Sequence, residues 1–144
     1  MGMDTSGQGM KSMTFWFLAI LVLGVMAYIR HAPSDPTQWH VPIFVTENAT
    51  YAGGAERFVA GDPGTLMQKL DQIIQSEPRS TQIAGQSEDG HVTYVVRTRW
   101  MGYPDYVTVQ SAQNGIQIYS RLWFGKSDLG VNANRLDRWI AQLN

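Results

Sequence analysis

The chain has 144 residues, with 11 Lys and Arg against 12 Asp and Glu, a formal net charge of −1 and no cysteine. That balance argues against a general nucleic-acid binder, which carries a strong basic excess. The missing cysteines remove disulfide staples and thiolate metal sites, and His31, His40 and His91 are too scattered for a metal-ligand spacing, so neither metal nor cofactor is expected.

In chain order, residues 1–12 are rich in Gly, Ser and Gln and read as a disordered tail. Met13 to Ile29 follows without a charge, bracketed by Lys11 and by Arg30 and His31, with Phe15, Trp16, Phe17 and Tyr28 near its ends. This pattern of an apolar run with cationic flanks and an aromatic belt predicts a transmembrane helix over residues 13–30. A secretory signal cleaved after Val25-Met26-Ala27 is the competing reading. A retained span would place a soluble domain at the periplasmic surface of a bacterial inner membrane, a compartment that the cysteine-free composition suits. His31 to Gln38 holds Pro33 and Pro36 and reads as a stiff linker over 31–40. Residues 41–144 then make one domain with one core.

Within that domain, Val41 to Val45 is a short β-like run broken by Pro42, Tyr51 to Arg57 is loop-like and Phe58 to Ala60 ends a strand. Asp62 as N-cap and Pro63 at the first position open a helix whose Leu66, Leu70, Ile73 and Ile74 share one face, and Pro78 closes it. Thr81 to Ala84, His91 to Trp100, Asp105 to Gln113 and Ile116 to Phe124 read as strands, with Asn114-Gly115 as a hairpin turn. Asn132 caps a last helix to Leu143, striped by Leu136, Trp139, Ile140 and Leu143. The predicted fold is α+β, an antiparallel meander covered on one face by two helices.

A two-residue Asn114-Gly115 loop would pair Val109 with Ser120 and Val107 with Leu122, and a tight turn at Met101–Pro104 would pair Thr98 with Val107. The core face then carries Tyr94, Val96, Val107, Val109, Ile118 and Ser120. The opposite face carries Arg97, Arg99, Tyr106, Tyr119, Arg121 and Trp123, with Arg97 and Arg121 about 10 Å apart. Arg, Tyr and Trp are favoured in binding hot spots, so these six residues are the candidate partner-binding surface. A solvated face with arginines stacked on rings is the plainer reading.

A second candidate lies in the loop after the meander. Ser127, Asp128, Asn132 and Arg135 suit either a loop locked by an Arg–Asp pair, with Asp128 joined to Arg121 or Arg135, or an anion pocket at a helix N-terminus. No histidine stands near Ser120 or Ser127, and an Asp105–Asp128 pair without a cleft is weak ground for acid–base chemistry. A catalytic role is not expected.

Tyr103-Pro104-Asp105 before a strand, the run Ile118-Tyr119-Ser120-Arg121, the turn Gly125-Lys126-Ser127-Asp128-Leu129-Gly130-Val131-Asn132, and then Arg135 and Trp139, together resemble a bacterial and plastid family known as domain of unknown function 1499. The likeness covers roughly Val92 to Leu143 and, more loosely, the helix after Asp62. Members often carry an N-terminal hydrophobic segment. Where the family pattern has a further basic or small residue after the Ser-Arg pair, this chain has Leu122-Trp123. The resemblance implies a fold and its boundaries and no activity. The expected function is a membrane-anchored, non-catalytic interaction module. Its partners would be the lipid bilayer and a protein of an inner-membrane complex that it serves as accessory or assembly subunit, with no nucleic acid. The alternative is a binding domain for a small anion or lipid headgroup at the Ser127–Arg135 loop.

Overall fold

The computed structural model describes residues 6–143. The chain divides into two units between Ala32 and Pro33. The first is one helix, α1 (Ser6–His31). Gly9–His31 has a mean hydropathy of 2.1 in its most apolar window and is long enough to cross a bilayer. Phe15, Trp16, Phe17, Leu18, Ile20 and Leu21 are all exposed, so no single apolar stripe marks a soluble packing face. Residues 6–12, expected as tail, are helical instead. Residues 1–5 lie outside the described residues.

The second unit is the α+β domain. Its elements are α2 (Pro36–Trp39), β1 (Ala49–Tyr51), β2 (Gly54–Ala60), α3 (Pro63–Ser76), β3 (Ser80–Gln86), β4 (His91–Arg97), β5 (Pro104–Ala112), β6 (Gly115–Leu122) and α4 (Val131–Ile140). The strands form one antiparallel sheet in the order β1-β2-β6-β5-β4-β3. The α3 cap is as expected: Asp62 accepts the Thr65 amide at 2.8 Å, with Pro63 at the first helical position. Both helices cover one sheet face. Met67, Leu70 and Ile74 of α3 and Leu136 and Trp139 of α4 bury against Val92, Tyr94, Val96, Val107, Val109, Ile116 and Ile118.

The register differs from the expected one. Ala112 pairs with Gly115, so Val107 faces Ser120 and Val109 faces Ile118. Arg97 pairs with Pro104 and Tyr94 with Val107. The hairpin loop is therefore Gln113-Asn114, and Gly115 belongs to the sheet. A Cβ on Gly115 would sit 2.1 Å from the Val59 carbonyl oxygen, so close backbone approach, and not turn geometry, calls for glycine there. Both slips are even in number, and side chains alternate with period two. The faces therefore come out as expected although the rows do not.

The larger difference is on the other face. Residues 34–45, read as a linker and a weak strand, lie across it as a strap. The Trp39 ring stacks on Tyr106 at 3.9 Å and 8°, and the His40 ring stacks on His91 at 3.9 Å. His40 Nδ1 lies 3.0 Å from Thr93 Oγ1, the Ile43 amide donates to Gln110 Oε1 at 3.0 Å, and the Tyr106 hydroxyl donates to Ser34 at 2.9 Å. Under this cover Thr93, Val95, Tyr106 and Thr108 are buried. Gly85 (φ +74°) leaves room for the strap, since a Cβ there would lie 2.7 Å from the His40 ring.

Burial and the facing His40 hold His91 below its ordinary pKa, and its Nε2 is buried without a hydrogen-bond partner. The unfolded chain protonates near about pH 6.5 while folded His91 resists, so stability is complete above that value and falls as pH drops toward the folded pKa. The melting temperature should fall between about pH 7.5 and 5, and His91→Phe, which keeps the stacked ring, should flatten that fall in thermal melts. An unchanged slope would show that the pair does not set it.

Candidate functional site

The six residues expected to form one partner-binding surface are dispersed. Arg121 shares a row with Tyr106 and Val95, and Tyr119 with Thr108 and Thr93. Arg121 lies beneath the strap. It donates to the Trp39 carbonyl at 2.8 Å, between the Trp39 ring (5.3 Å) and the Tyr119 ring (4.8 Å), and burial pulls its pKa down. Arg97 ends β4 and donates to the Gly102 carbonyl at 3.1 Å. Arg99 is in the following turn, 5.3 Å from the Trp100 ring centroid. Trp123 lies just beyond β6, 6.1 Å from the Phe124 ring. The expected row of Arg97, Thr108 and Arg121 does not exist, because Arg97 and Arg121 pair with Pro104 and Tyr106, nearer the start of β5 than assumed.

The loop residues converge instead, inside the molecule. Arg135 donates to Asp105 at 2.9 Å, and their side chains are 7% and 6% exposed. Arg135 also donates to Asn132 Oδ1 at 2.8 Å, and Asn132 accepts the Ser120 hydroxyl. Asp128 accepts the Gly130 amide at 2.9 Å, the Asn132 amide at 3.0 Å and the Asn132 side chain at 2.6 Å. Ser127 Oγ accepts the Leu129 amide at 3.2 Å. The helix starts at Val131, with Gly130 as its left-handed N-cap and no side-chain cap of its own. Asp128 does that work from two residues upstream, so Asn132 is not the cap.

This geometry leaves the groups expected to form an anion pocket at the Ser127–Arg135 loop engaged internally. The amides that an anion would use already hold a carboxylate, and the arginine already holds another. Arg135 pairs with Asp105 of β5 and not with Asp128, and the loop is held by the Gly130 and Asn132 groups that donate to Asp128. Burial raises the Asp105 carboxyl, opposed by Arg135, while Asp128 nearby adds to the rise.

The structure shows a different open site, missed in the sequence because its residues come from three distant segments. A cleft of about 500 Å³ opens where α3 ends, β4 ends and α4 begins. Arg79, Arg97, Arg99, Arg135 and Arg138 line it, with Glu77 as the one carboxylate on its wall. Glu77 is occupied: Arg138 holds it through two hydrogen bonds of 2.9 Å and the Trp139 indole through one of 3.0 Å. Arg138, foremost, thereby holds its carboxyl below the usual range. Arg79 and Arg99 have no carboxylate partner among the described residues. The one available signal was Pro78-Arg79 closing the helix, a position that looks like ordinary punctuation.

Fold and site together define an N-terminal apolar helix followed by an α+β domain, whose motif residues build a buried polar network and whose open end is rich in arginine. A family described as Protein of unknown function (DUF1499) matches residues 32–143, and the chain belongs to that family. The match begins just before the strap, which is thus part of the family domain. No curated protein and no solved structure matches the chain.

Removing one partner of a buried ion pair strands the other charge, a loss of about 3–5 kcal/mol. Asp105→Asn should show that loss in denaturant melts, while Arg99→Gln, at an exposed turn, should stay within about 0.5 kcal/mol of wild type. Similar losses for the two variants would contradict the network.

Proposed function

We propose that the chain is a membrane-anchored, non-catalytic binding module that takes an anionic group in the cleft lined by Arg79, Arg97, Arg99 and Arg138. The single observation behind this reading is the positive charge on the cleft wall, five guanidinium groups of which Arg135 and Arg138 are paired with Asp105 and Glu77. Planar guanidinium forks match phosphate and carboxylate oxygens in pairs. Backbone strain supports it. Arg79 is held at φ 63°, a conformation costly for a side-chain-bearing residue and common where function holds it. This reading replaces docking through the sheet face, which the strap occupies. An anion that binds only the folded state raises stability, by about 1.4 kcal/mol at tenfold excess over Kd. Pyrophosphate should therefore raise the melting temperature of the full chain in detergent more than sodium chloride does at equal ionic strength. Arg79→Gln with Arg99→Gln should abolish the rise and leave the ligand-free melt in place. An equal rise in the double variant would sink the cleft.

The proposed location is the periplasmic side of a bacterial inner membrane, reached by a single span. The cysteine-free sequence allows a direct check. Glu88→Cys, in the exposed β3–β4 turn, should react with a membrane-impermeant maleimide in intact spheroplasts. Protection until lysis would place the domain on the cytoplasmic side.

A further inference from the structure

The open end of the sheet carries more than arginines. Trp100 is 77% exposed, Phe124 71% and Leu129 90%. Trp100 lies in the β4–β5 turn and Phe124 just past β6, and Phe124 stacks with Tyr103 at 6.3 Å. Leu129 sits in the loop locked by Asp128, at φ 54°. A branched apolar residue in the left-handed region is unusual, and here it is also pushed into solvent on a rigid support. Arg79 and Leu129 are the two residues with a side chain and positive φ among those described, and both are at this end.

Chain connectivity bears on the choice of partner for this end. Ser34 touches Tyr106, near the start of β5, so the strap enters the domain at the same end as these loops. Two residues, Ala32 and Pro33, separate Ser34 from the last residue of the apolar helix. The open end carries Arg79, Arg99 and Lys126, and its carboxylates are engaged internally, Asp105 by Arg135, Glu77 by Arg138 and Asp128 by loop amides, while Asp62, Glu88 and Asp89 belong to the turns at the far end.

We propose that Trp100, Phe124 and Leu129, flanked by Arg99 and Lys126, insert into the interfacial layer of the anionic phospholipid bilayer that anchors the chain. Aromatic rings with cations beside them are the side chains that partition to the headgroup level. Anionic headgroups add attraction for each arginine or lysine near the surface. The inference concerns the rim, which shares Arg99 with the cleft but whose Trp100, Phe124, Leu129 and Lys126 lie outside it. The rim can dock with the cleft empty, and the cleft can bind an anion in detergent.

The test uses the full chain in vesicles of phosphatidylcholine and phosphatidylglycerol. Phe124→Cys, Leu129→Cys and, as the far-end control, Glu88→Cys each carry a bimane fluorophore. Labels at positions 124 and 129 should be quenched several-fold more by lipids brominated on the acyl chain than the label at 88, and should be shielded from aqueous iodide. Adding Lys126→Glu, which lies outside the cleft, should reduce that quenching, with a thermal melt confirming the fold. Labels at 124 and 129 as open to iodide as the one at 88 would overturn the proposal and leave the tip to a protein partner. Pyrophosphate binding in detergent is read separately, so failure of one result leaves the other standing.

Discussion

A single buried guanidinium organises this domain. Arg135 points from α4 into the layer between helix and sheet, where an unpaired charge would be prohibitive. Asp105 at the start of β5 supplies the opposite charge, and Asn132 and Ser120 fill the remaining hydrogen-bonding capacity. Asp128 then ties Asn132 to the loop ahead of the helix. Three elements and a loop are thus held in one mutual geometry, because none can shift without leaving a buried polar group unsatisfied. The residues that carry the family resemblance, from the Tyr-Pro-Asp turn to the Asn and Arg of the last helix, are largely these. Their pattern marks an internal scaffold.

That scaffold has consequences at the surface. The locked loop leaves Leu129 no inward path, so an apolar side chain is displayed at a fixed place. The same packing sets α4 against the end of α3, where Glu77 joins Arg138 and Trp139. The gap left beyond these contacts is the arginine cleft. A rigid core network and a cationic, aromatic open end are therefore two sides of one arrangement.

The strap completes the fold in a different way. One sheet face is sealed by helices through apolar contact. The other is sealed by a non-repetitive segment through ring stacking and side chains that reach its backbone, as Arg121 does at the Trp39 carbonyl and Gln110 at the Ile43 amide. The backbone groups of an irregular segment need partners when covered. The polar residues on this face supply them, which is why the face looks like an exposed surface in the sequence and is partly an interior.

Local chemistry was legible from the sequence: the apolar helix, α3 with its Asp62 and Pro63 start, α4, the four later strands and the side of the sheet each residue occupies. Each follows from periods of two or 3.6 residues and from caps and turns that act over a few positions. What only the tertiary structure decided was everything that rests on where distant segments meet. Residues 54–57 join β2 because β6 offers them an edge, and residues 49–51 then pair on β2, while their own glycines and polar residues give no such hint. The register, and with it which arginines are neighbours, depends on the close approach at Gly115 as much as on the hairpin turn. Asp105 rather than Asp128 became the partner of Arg135 because the Arg135 side chain reaches from α4 to the start of β5. The strap over Arg121 and the cleft around Arg79 arise from contacts across tens of residues. No local pattern encodes them, since the free energy of burying a group belongs to its surroundings and not to the residue alone.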